Sequence, residues 1–312
     1  MLLCNCYNLI IGGIVMGKDT LLKSIELENG EILGYRESGS GEKTLVLVHG
    51  NMTSSKHWDV LIEALPEDIK IYAVDLRGFG ISTYNNPINS LKDFSEDLKL
   101  FVDKLNLKKF SLAGWSTGGG VSMQFTADHP EYVEKLILVE SVGIKGYPIL
   151  QTDETGNFIA GKPYLSKEAL GKDLVSIKPI LDANSGRNKA FYKGLWDAVI
   201  YTENKPSDEK YDEYLEDMLT QVNTLDVYWA LETFNISNEH NSVVEGSGDV
   251  DKIQVPTLVF QGERDFVIPP PTGDEIAKGI GENALLVKLP SGHSPLIDCL
   301  DILANNIIDF IK

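Results

Sequence analysis

Residues 110–119 read Phe-Ser-Leu-Ala-Gly-Trp-Ser-Thr-Gly-Gly, and they form the strongest structural signal in the chain. The first part, 110–113, is a mainly apolar run typical of a buried strand, and a segment with helical periodicity begins at Gly119. Ser116 lies between the two in a Gly-x-Ser-x-Gly pattern. A sharp turn from a strand into a helix exposes a serine hydroxyl beside a base, and its glycines avoid side-chain clashes. The stretch therefore predicts that Ser116 is a nucleophile; the alternative is a glycine-rich turn with an incidental serine.

The rest of the chain alternates between two kinds of segment. Short apolar runs that fit strands buried on both faces recur at 44–48, 69–74, 136–139, 257–260 and 285–289. Segments with helical periodicity lie between them, at 58–65, 91–105, 119–129, 273–279 and 300–311. Two further strands, 23–28 and 31–36, flank Asn29-Gly30, which predicts a hairpin with a two-residue turn. This order predicts an α/β fold with a mostly parallel, doubly wound sheet.

One long segment interrupts the alternation between two late strands. Residues 143–251 contain no run typical of a buried strand and look helical and loop-rich. Of the 27 aromatic residues in the chain, 12 lie between Tyr147 and Phe234, and residues 203–251 hold 13 acidic residues but only two lysines. We predict that 143–251 is a helical lid, or cap, over a pocket, and that 21–142 and 252–312 form the core. The alternative is an insertion that packs only on the core.

Composition and charge narrow the class of protein. The chain has 312 residues, 43% of them hydrophobic and 24% charged, which excludes a disordered or coiled-coil protein. Its net charge of −18 repels phosphate backbones and anionic lipid, so we expect neither nucleic acid nor membrane partners. Three cysteines, Cys4, Cys6 and Cys299, cannot form a disulfide framework and indicate a reducing compartment, the cytoplasm.

The first residues stand apart from the rest of the sequence. Residues 1–16 are apolar but lack a basic start, and their apolar run is too short to span a bilayer. The Cys4-x-Cys6 pair has no second ligand pair at the spacing of a zinc site. We therefore assign no role to a leader over 1–20, and Met16 is an alternative start of translation.

Two more stretches carry a family resemblance together with the Ser116 turn. His49-Gly-Asn-Met52 follows the strand 44–48, and 75–82 read Asp-Leu-Arg-Gly-Phe-Gly-Ile-Ser. With these motifs the chain resembles the α/β-hydrolase superfamily. The resemblance implies that the backbone N–H groups of Asn51 and Thr117 form an oxyanion hole. It also implies that His49 fixes its turn and that 75–82 is scaffold.

The order of residues in that superfamily, serine then acid then histidine, implies the partners of Ser116. His293 is the predicted base, because it lies in the loop Ser-Gly-His-Ser-Pro (291–295) after a strand. The other two histidines after Ser116 are less suitable, since His129 ends a helix and His240 lies in polar lid sequence. Asp265, in Gln-Gly-Glu-Arg-Asp after the penultimate strand, is the predicted acid. Glu140, directly after the strand 136–139, is the competing carboxylate. Neither a metal cluster nor a Gly-x-Gly-x-x-Gly site accompanies these residues, so we expect no metal and no cofactor.

The identity of the nucleophile, a serine, limits the type of reaction. Related dehalogenases and epoxide hydrolases use aspartate at the turn, so a serine implies acyl transfer and ester hydrolysis. The motifs also resemble intracellular polyhydroxybutyrate depolymerases of bacilli, which implies a 3-hydroxybutyrate polyester or oligoester. A small neutral ester is the predicted partner, held by a pocket that includes Trp115, Trp196 and Trp229, and no oligomeric state is predicted. The alternatives are a carbon–carbon bond hydrolase of the same fold and a ligand receptor with incidental turnover.

Overall fold

The computed structural model describes residues 19–312. An eight-stranded sheet runs through its centre in the order β1-β2-β4-β3-β5-β6-β9-β10, and β7 and β8 form a separate two-stranded sheet. The strands are β1 (Thr20–Glu26), β2 (Ile32–Ser38), β3 (Lys43–Val48), β4 (Ile69–Val74), β5 (Phe110–Trp115), β6 (Val133–Val139), β7 (Leu150–Thr152), β8 (Phe158–Pro163), β9 (Thr257–Gly262) and β10 (Ala284–Leu289).

The pairing within the large sheet is mostly parallel. Strand β2 is antiparallel to both β1 and β4, whereas every pair from β4 to β10 along the sheet is parallel. The carboxyl ends of the parallel strands therefore lie together at one end of the sheet, where open α/β sheets place their ligands. The predicted α/β fold with a mostly parallel sheet is confirmed.

Helices cover both faces of this sheet. They are α1 (Asp59–Ala64), α2 (Leu91–Lys104), α3 (Thr117–Asp128), α4 (Lys167–Leu170), α5 (Lys178–Ser185), α6 (Lys189–Val199), α7 (Asp208–Met218), α8 (Thr224–Glu232), α9 (Pro271–Ile280), α10 (Pro295–Asp298) and α11 (Leu300–Ile311). Successive side chains of β3 point to opposite faces, so Val46 packs with α2 and α3 while Leu45 packs with α1 and α11. Burial on both faces explains why the central strands are continuous apolar runs.

The segment between β6 and β9 holds β7, β8 and the helices α4 to α8. Helix α7 is tied to α1, because the Tyr214 hydroxyl and the Lys210 ammonium both donate to the Asp59 carboxylate. Helix α8 packs into the main core through Val227 and Leu231. This segment, to which we refer as the cap after its predicted role, is therefore joined to the rest of the fold through α7 and α8.

The structure corrects four details of the predicted elements. The first hairpin turn is a five-residue loop, 27–31, closed by a hydrogen bond from Leu27 N–H to the Glu31 carbonyl. Strand β10 lies at the edge of the sheet, so Leu285 is 60% exposed instead of buried. The predicted helical lid also contains the β7–β8 hairpin. The predicted leader overlaps β1 at Thr20, and its other assignments, on Cys4, Cys6 and Met16, lie outside the described residues.

Candidate active site

Ser116 lies in the tight turn between β5 and α3. Its φ of 55° and ψ of −119° place a non-glycine residue in a strained backbone conformation. The neighbouring glycines are required by close approach of the backbone. A Cβ atom at Gly114 would lie 2.2 Å from the Gly118 carbonyl oxygen, and one at Gly118 would lie 2.2 Å from the Val48 carbonyl oxygen. The Gly-x-Ser-x-Gly pattern therefore follows from sterics at the turn, and it holds Ser116 at the edge of a cavity.

His293 and Asp265 come together at the carboxyl ends of β10 and β9. The His293 Nδ1 atom is 2.8 Å from Asp265 Oδ2, and both side chains are buried. Asp265 Oδ1 accepts two backbone hydrogen bonds, from Val267 (2.7 Å) and Ile268 (2.8 Å). Burial raises the pKa of Asp265, but His293 and these N–H groups lower it more, so its pKa lies below the ordinary value. An ionised Asp265 keeps the proton of the imidazole on Nδ1 and leaves Nε2 free to accept one.

Ser116 and His293 line the same cavity. The cavity wall also contains Trp115, whose indole N–H donates to the His293 carbonyl oxygen at 2.9 Å. No hydrogen bond joins the Ser116 hydroxyl to His293 in the part of the chain that the structure describes. Such bonds are often long in the absence of substrate and shorten when it binds. The arrangement brings together a serine, an imidazole and a carboxylate at one end of the sheet.

Glu140, the competing carboxylate, is fully buried at the end of β6. Its Oε2 accepts a hydrogen bond of 2.6 Å from Gly262 N–H. Burial, followed by the negative charge of Asp265, raises the pKa of Glu140 well above its usual value. The environments of the two carboxyl groups therefore favour an ionised Asp265 and a neutral Glu140. Glu140 thus lies at the end of β6 with its side chain buried beside Asp265.

The turn 49–52 lies directly beside the serine. A Cβ atom at Gly50 would be 3.0 Å from the Ser116 Cβ atom. Thr117 is the first residue of α3, so its N–H has no acceptor within the helix, and both Asn51 and Thr117 line the cavity. Both His49 nitrogens are engaged: Nδ1 donates to the Gly50 carbonyl (2.7 Å) and Nε2 accepts from Leu76 N–H (3.0 Å). His49 thus fixes the turn and has no free nitrogen for proton transfer.

The second family motif, 75–82, packs beneath this turn. Asp75 accepts backbone hydrogen bonds from Ser55 (2.8 Å) and Ile81 (3.1 Å). Because both oxygens of its carboxylate accept backbone N–H groups, Asp75 has the structural contacts of the scaffold role that the resemblance implies for 75–82.

The cavity has a volume of about 1100 Å³. Apolar side chains from the cap form much of its wall: Ile177, Ile180, Phe191, Leu195, Val199 and Ile200. Two of the three predicted pocket residues, Trp115 and Trp196, line it. Trp229 does not. It is half-buried against a separate cluster that contains Tyr164 and Leu170, because its position on α8 turns it toward the α4 side of the cap.

Two buried polar residues of the cap lack any sequence signal. Gln221 hydrogen-bonds to the turn 49–52, and Glu232 accepts backbone N–H groups from Ile149 and Tyr164 at the two ends of the β7–β8 hairpin. Burial raises the pKa of Glu232 to about 7. Neither residue belongs to a motif, since each is selected by its partners across the fold.

The described chain was also searched for two other kinds of site. Across residues 19–312, three or more His, Cys, Asp or Glu residues never cluster in a way that could hold a metal ion. Over the same residues, none of the helices has the length and apolar character needed to cross a membrane.

The chain is similar to known hydrolases in sequence and in fold. Residues 43–299 match the model of a family described as alpha/beta hydrolase fold. Lipase 1 of Psychrobacter immobilis is 25% identical, and the alignment covers 92% of this chain and 83% of the lipase. The 2-hydroxy-6-oxononadienedioate/2-hydroxy-6-oxononatrienedioate hydrolase 1 of Pseudomonas putida is 23% identical, with 93% and 96% covered. A solved esterase from Exiguobacterium antarcticum is similar in fold, with a TM-score of 0.70, 19% identity and coverage of 94% and 100%.

Proposed function

The chain belongs to the α/β-hydrolase family, as its motifs predicted, and we propose that it cleaves carboxylic esters through an acyl-enzyme on Ser116. One observation carries this proposal: His293 is hydrogen-bonded to a buried Asp265 in the wall of the cavity that contains the strained Ser116 turn. A serine hydroxyl needs such an oriented base to become a nucleophile. The cytoplasmic location inferred from the cysteines is part of the proposal.

The chemistry follows from the roles of these groups. His293 Nε2 takes the Ser116 proton as Oγ attacks the ester carbonyl, and the carbonyl oxygen becomes an oxyanion that the N–H groups of Asn51 and Thr117 stabilise. The imidazolium then returns its proton to the departing alkoxide, so the alcohol leaves and an acyl-enzyme remains. A water molecule repeats the attack with the same base and releases the acid. Asp265 stabilises the imidazolium in both steps.

The cavity indicates the class of ester. Its apolar cap wall fits an uncharged acyl chain, and a net charge of −18 disfavours anionic substrates. A volume of about 1100 Å³ exceeds the need of a butyryl group, so longer chains or an oligoester also fit. A 3-hydroxybutyrate oligoester is the narrower substrate that the motif resemblance supports.

The test is a chain-length series of p-nitrophenyl esters, from acetate to palmitate, beside 3-hydroxybutyrate oligomers and amorphous polyhydroxybutyrate. We expect sustained turnover that includes chains longer than butyrate and release of 3-hydroxybutyrate from the oligomers. Turnover of esters without release of 3-hydroxybutyrate would reject the narrower substrate only.

Two other functions have their own signatures in this experiment. A single burst of p-nitrophenol followed by a stable acyl-enzyme would favour a ligand receptor. The similarity to the Pseudomonas putida hydrolase makes a carbon–carbon bond hydrolase the second candidate, and cleavage of a vinylogous 1,5-diketone in the absence of ester turnover would favour it.

A further inference from the structure

Gln221 connects the cap to the turn that holds Asn51. It follows α7 and is only 2% exposed. Its Oε1 atom accepts a hydrogen bond from Met52 N–H at 3.1 Å. Its Nε2 group donates to Asn51 Oδ1 at 2.8 Å and to Asn223 Oδ1 at 3.1 Å. The side chain thus grips two consecutive residues of the turn.

The orientation of the amide is determined by its partners. Met52 N–H can only donate, so the Gln221 oxygen must face it, and both protons of the amide nitrogen are then used by oxygen acceptors. Met52 has a φ of 58°, a left-handed conformation that a side chain with a Cβ atom rarely adopts. A buried, fully satisfied amide therefore holds the turn in a conformation that its own sequence does not favour.

The segment that carries Gln221 is itself fixed at both ends. Before it, α7 is anchored where the Ser54 hydroxyl donates to Asp217 at 2.7 Å. After it, Val222 N–H donates to the Gly78 carbonyl (3.0 Å), and the Asn223 amide donates to the Arg77 carbonyl (2.6 Å). Gln221 consequently has little freedom to move away from the turn.

We propose that Gln221 is a positioning residue of the oxyanion hole, which acts by holding the Asn51 N–H in the direction of the developing oxyanion. This inference rests on the proposed ester hydrolysis and assigns to the cap a part of the catalytic geometry. Small displacements of a group that contacts the transition state reduce rates strongly, and loss of one oxyanion donor costs about 10²–10³ in kcat. Misdirection of a donor that is still present should cost less, about 10- to 100-fold.

The experiment compares Q221L with Y214F. Q221L removes both contacts to the turn, whereas Y214F removes a hydrogen bond to Asp59 from α7, the helix that precedes Gln221. With p-nitrophenyl butyrate we expect Q221L to lower kcat by about 10- to 100-fold with KM changed by less than about threefold. The rate of fluorophosphonate labelling of Ser116 should fall in parallel, because the phosphoryl oxygen occupies the same hole. Y214F should keep both rates within about twofold.

A second variant covers the outcome in which Q221L does not fold. Q221M keeps the length and flexibility of the side chain but can neither accept from Met52 N–H nor donate to Asn51 Oδ1, so its labelling rate should fall by at least tenfold. Unchanged kcat and labelling rates in a folded Q221L or Q221M would overturn the proposal and leave Gln221 as a structural tie. If the wild type labels at Ser116 but hydrolyses no ester, the proposed function fails while the labelling rates still decide the role of Gln221.

Discussion

Replacing Asp265 with asparagine tests which carboxylate orients His293, and the structure dictates how the new side chain sits. Asp265 Oδ1 accepts N–H groups from Val267 and Ile268, so the oxygen of an asparagine must remain there. The amide nitrogen then replaces Oδ2, 2.8 Å from His293 Nδ1. Because that nitrogen only donates, Nδ1 must become the acceptor and the imidazole proton moves to Nε2. The base then cannot take the proton of Ser116.

The expected loss follows from this change of tautomer. A buried triad acid replaced by its amide lowers kcat by about 10⁴, which corresponds to about 5 kcal/mol of transition-state stabilisation. The matched control is Glu140→Gln. Burial and the neighbouring charge of Asp265 raise the pKa of Glu140 well above its usual value, so the substitution replaces one neutral group with another. The glutamine oxygen can still accept Gly262 N–H, and we expect less than a tenfold change in kcat.

The assay is kcat for p-nitrophenyl butyrate at pH 8, with the thermal midpoint of each variant measured to establish that it is folded. A folded D265N with near wild-type kcat, beside an E140Q that loses about 10⁴, would refute the reasoning and assign the acid to Glu140. Similar large losses in both variants would show that the two carboxyl groups act as one coupled unit.

Three further outcomes are expected. Ser116→Ala should lower ester hydrolysis by about 10⁴ or more without unfolding the protein, and a fluorophosphonate adduct found by mass spectrometry on any other serine would contradict the assignment. Trp196→Leu should shift the preferred acyl length in the p-nitrophenyl series, whereas Trp229→Leu, outside the cavity, should lower stability by about 1–3 kcal/mol and keep the profile; the reverse pattern would exclude Trp196 from the pocket. Burial raises the pKa of Glu232 to about 7, so its stabilising contribution is complete below its ordinary pKa of 4.5 and is lost as the pH rises through 7. Between pH 5 and pH 8, the free energy of unfolding measured with urea should therefore fall by up to about 3 kcal/mol in the wild type and by less in E232Q. An equal fall in both proteins would argue against a buried, titrating Glu232.

The parts of the fold that the sequence predicts are those governed by local rules. The buried strands are continuous apolar runs, and the turn at Ser116 can be recognised in the sequence because only glycine fits at 114 and 118. The predicted helix over 300–311 matches α11 (Leu300–Ile311) residue for residue. Strand β10 was harder, because an apolar run does not reveal whether a second neighbour covers it, and Leu285 faces solvent at the edge of the sheet.

The residues of the candidate site also divide into those that local patterns predict and those that depend on distant contacts. A predicted strand precedes each of Ser116, Asp265 and His293. The parallel sheet alone is therefore enough to bring these residues to the carboxyl ends of the strands. Trp229 was misassigned because aromatic content does not reveal which face of a helix meets the cavity. The sequence does not reveal Gln221 and Glu232, because each accepts hydrogen bonds from backbone N–H groups more than sixty residues away. No local sequence pattern encodes such contacts.

The position of the cap within the chain has a consequence for how such a protein diversifies. The cap is one uninterrupted stretch between β6 and β9, which are hydrogen-bonded neighbours in the sheet. Since the entropy of closing a connection grows only slowly with its length, loops within the stretch can be shortened or extended with little penalty, provided that the core contacts of α7 and α8 are kept. Under the proposed function, recombination in this region of the gene would alter acyl preference while leaving Ser116, Asp265 and His293 in place. A grafted cap must, however, bring an amide to the position of Gln221, so chimaeras that preserve residues 219–223 should retain turnover where full replacements fail.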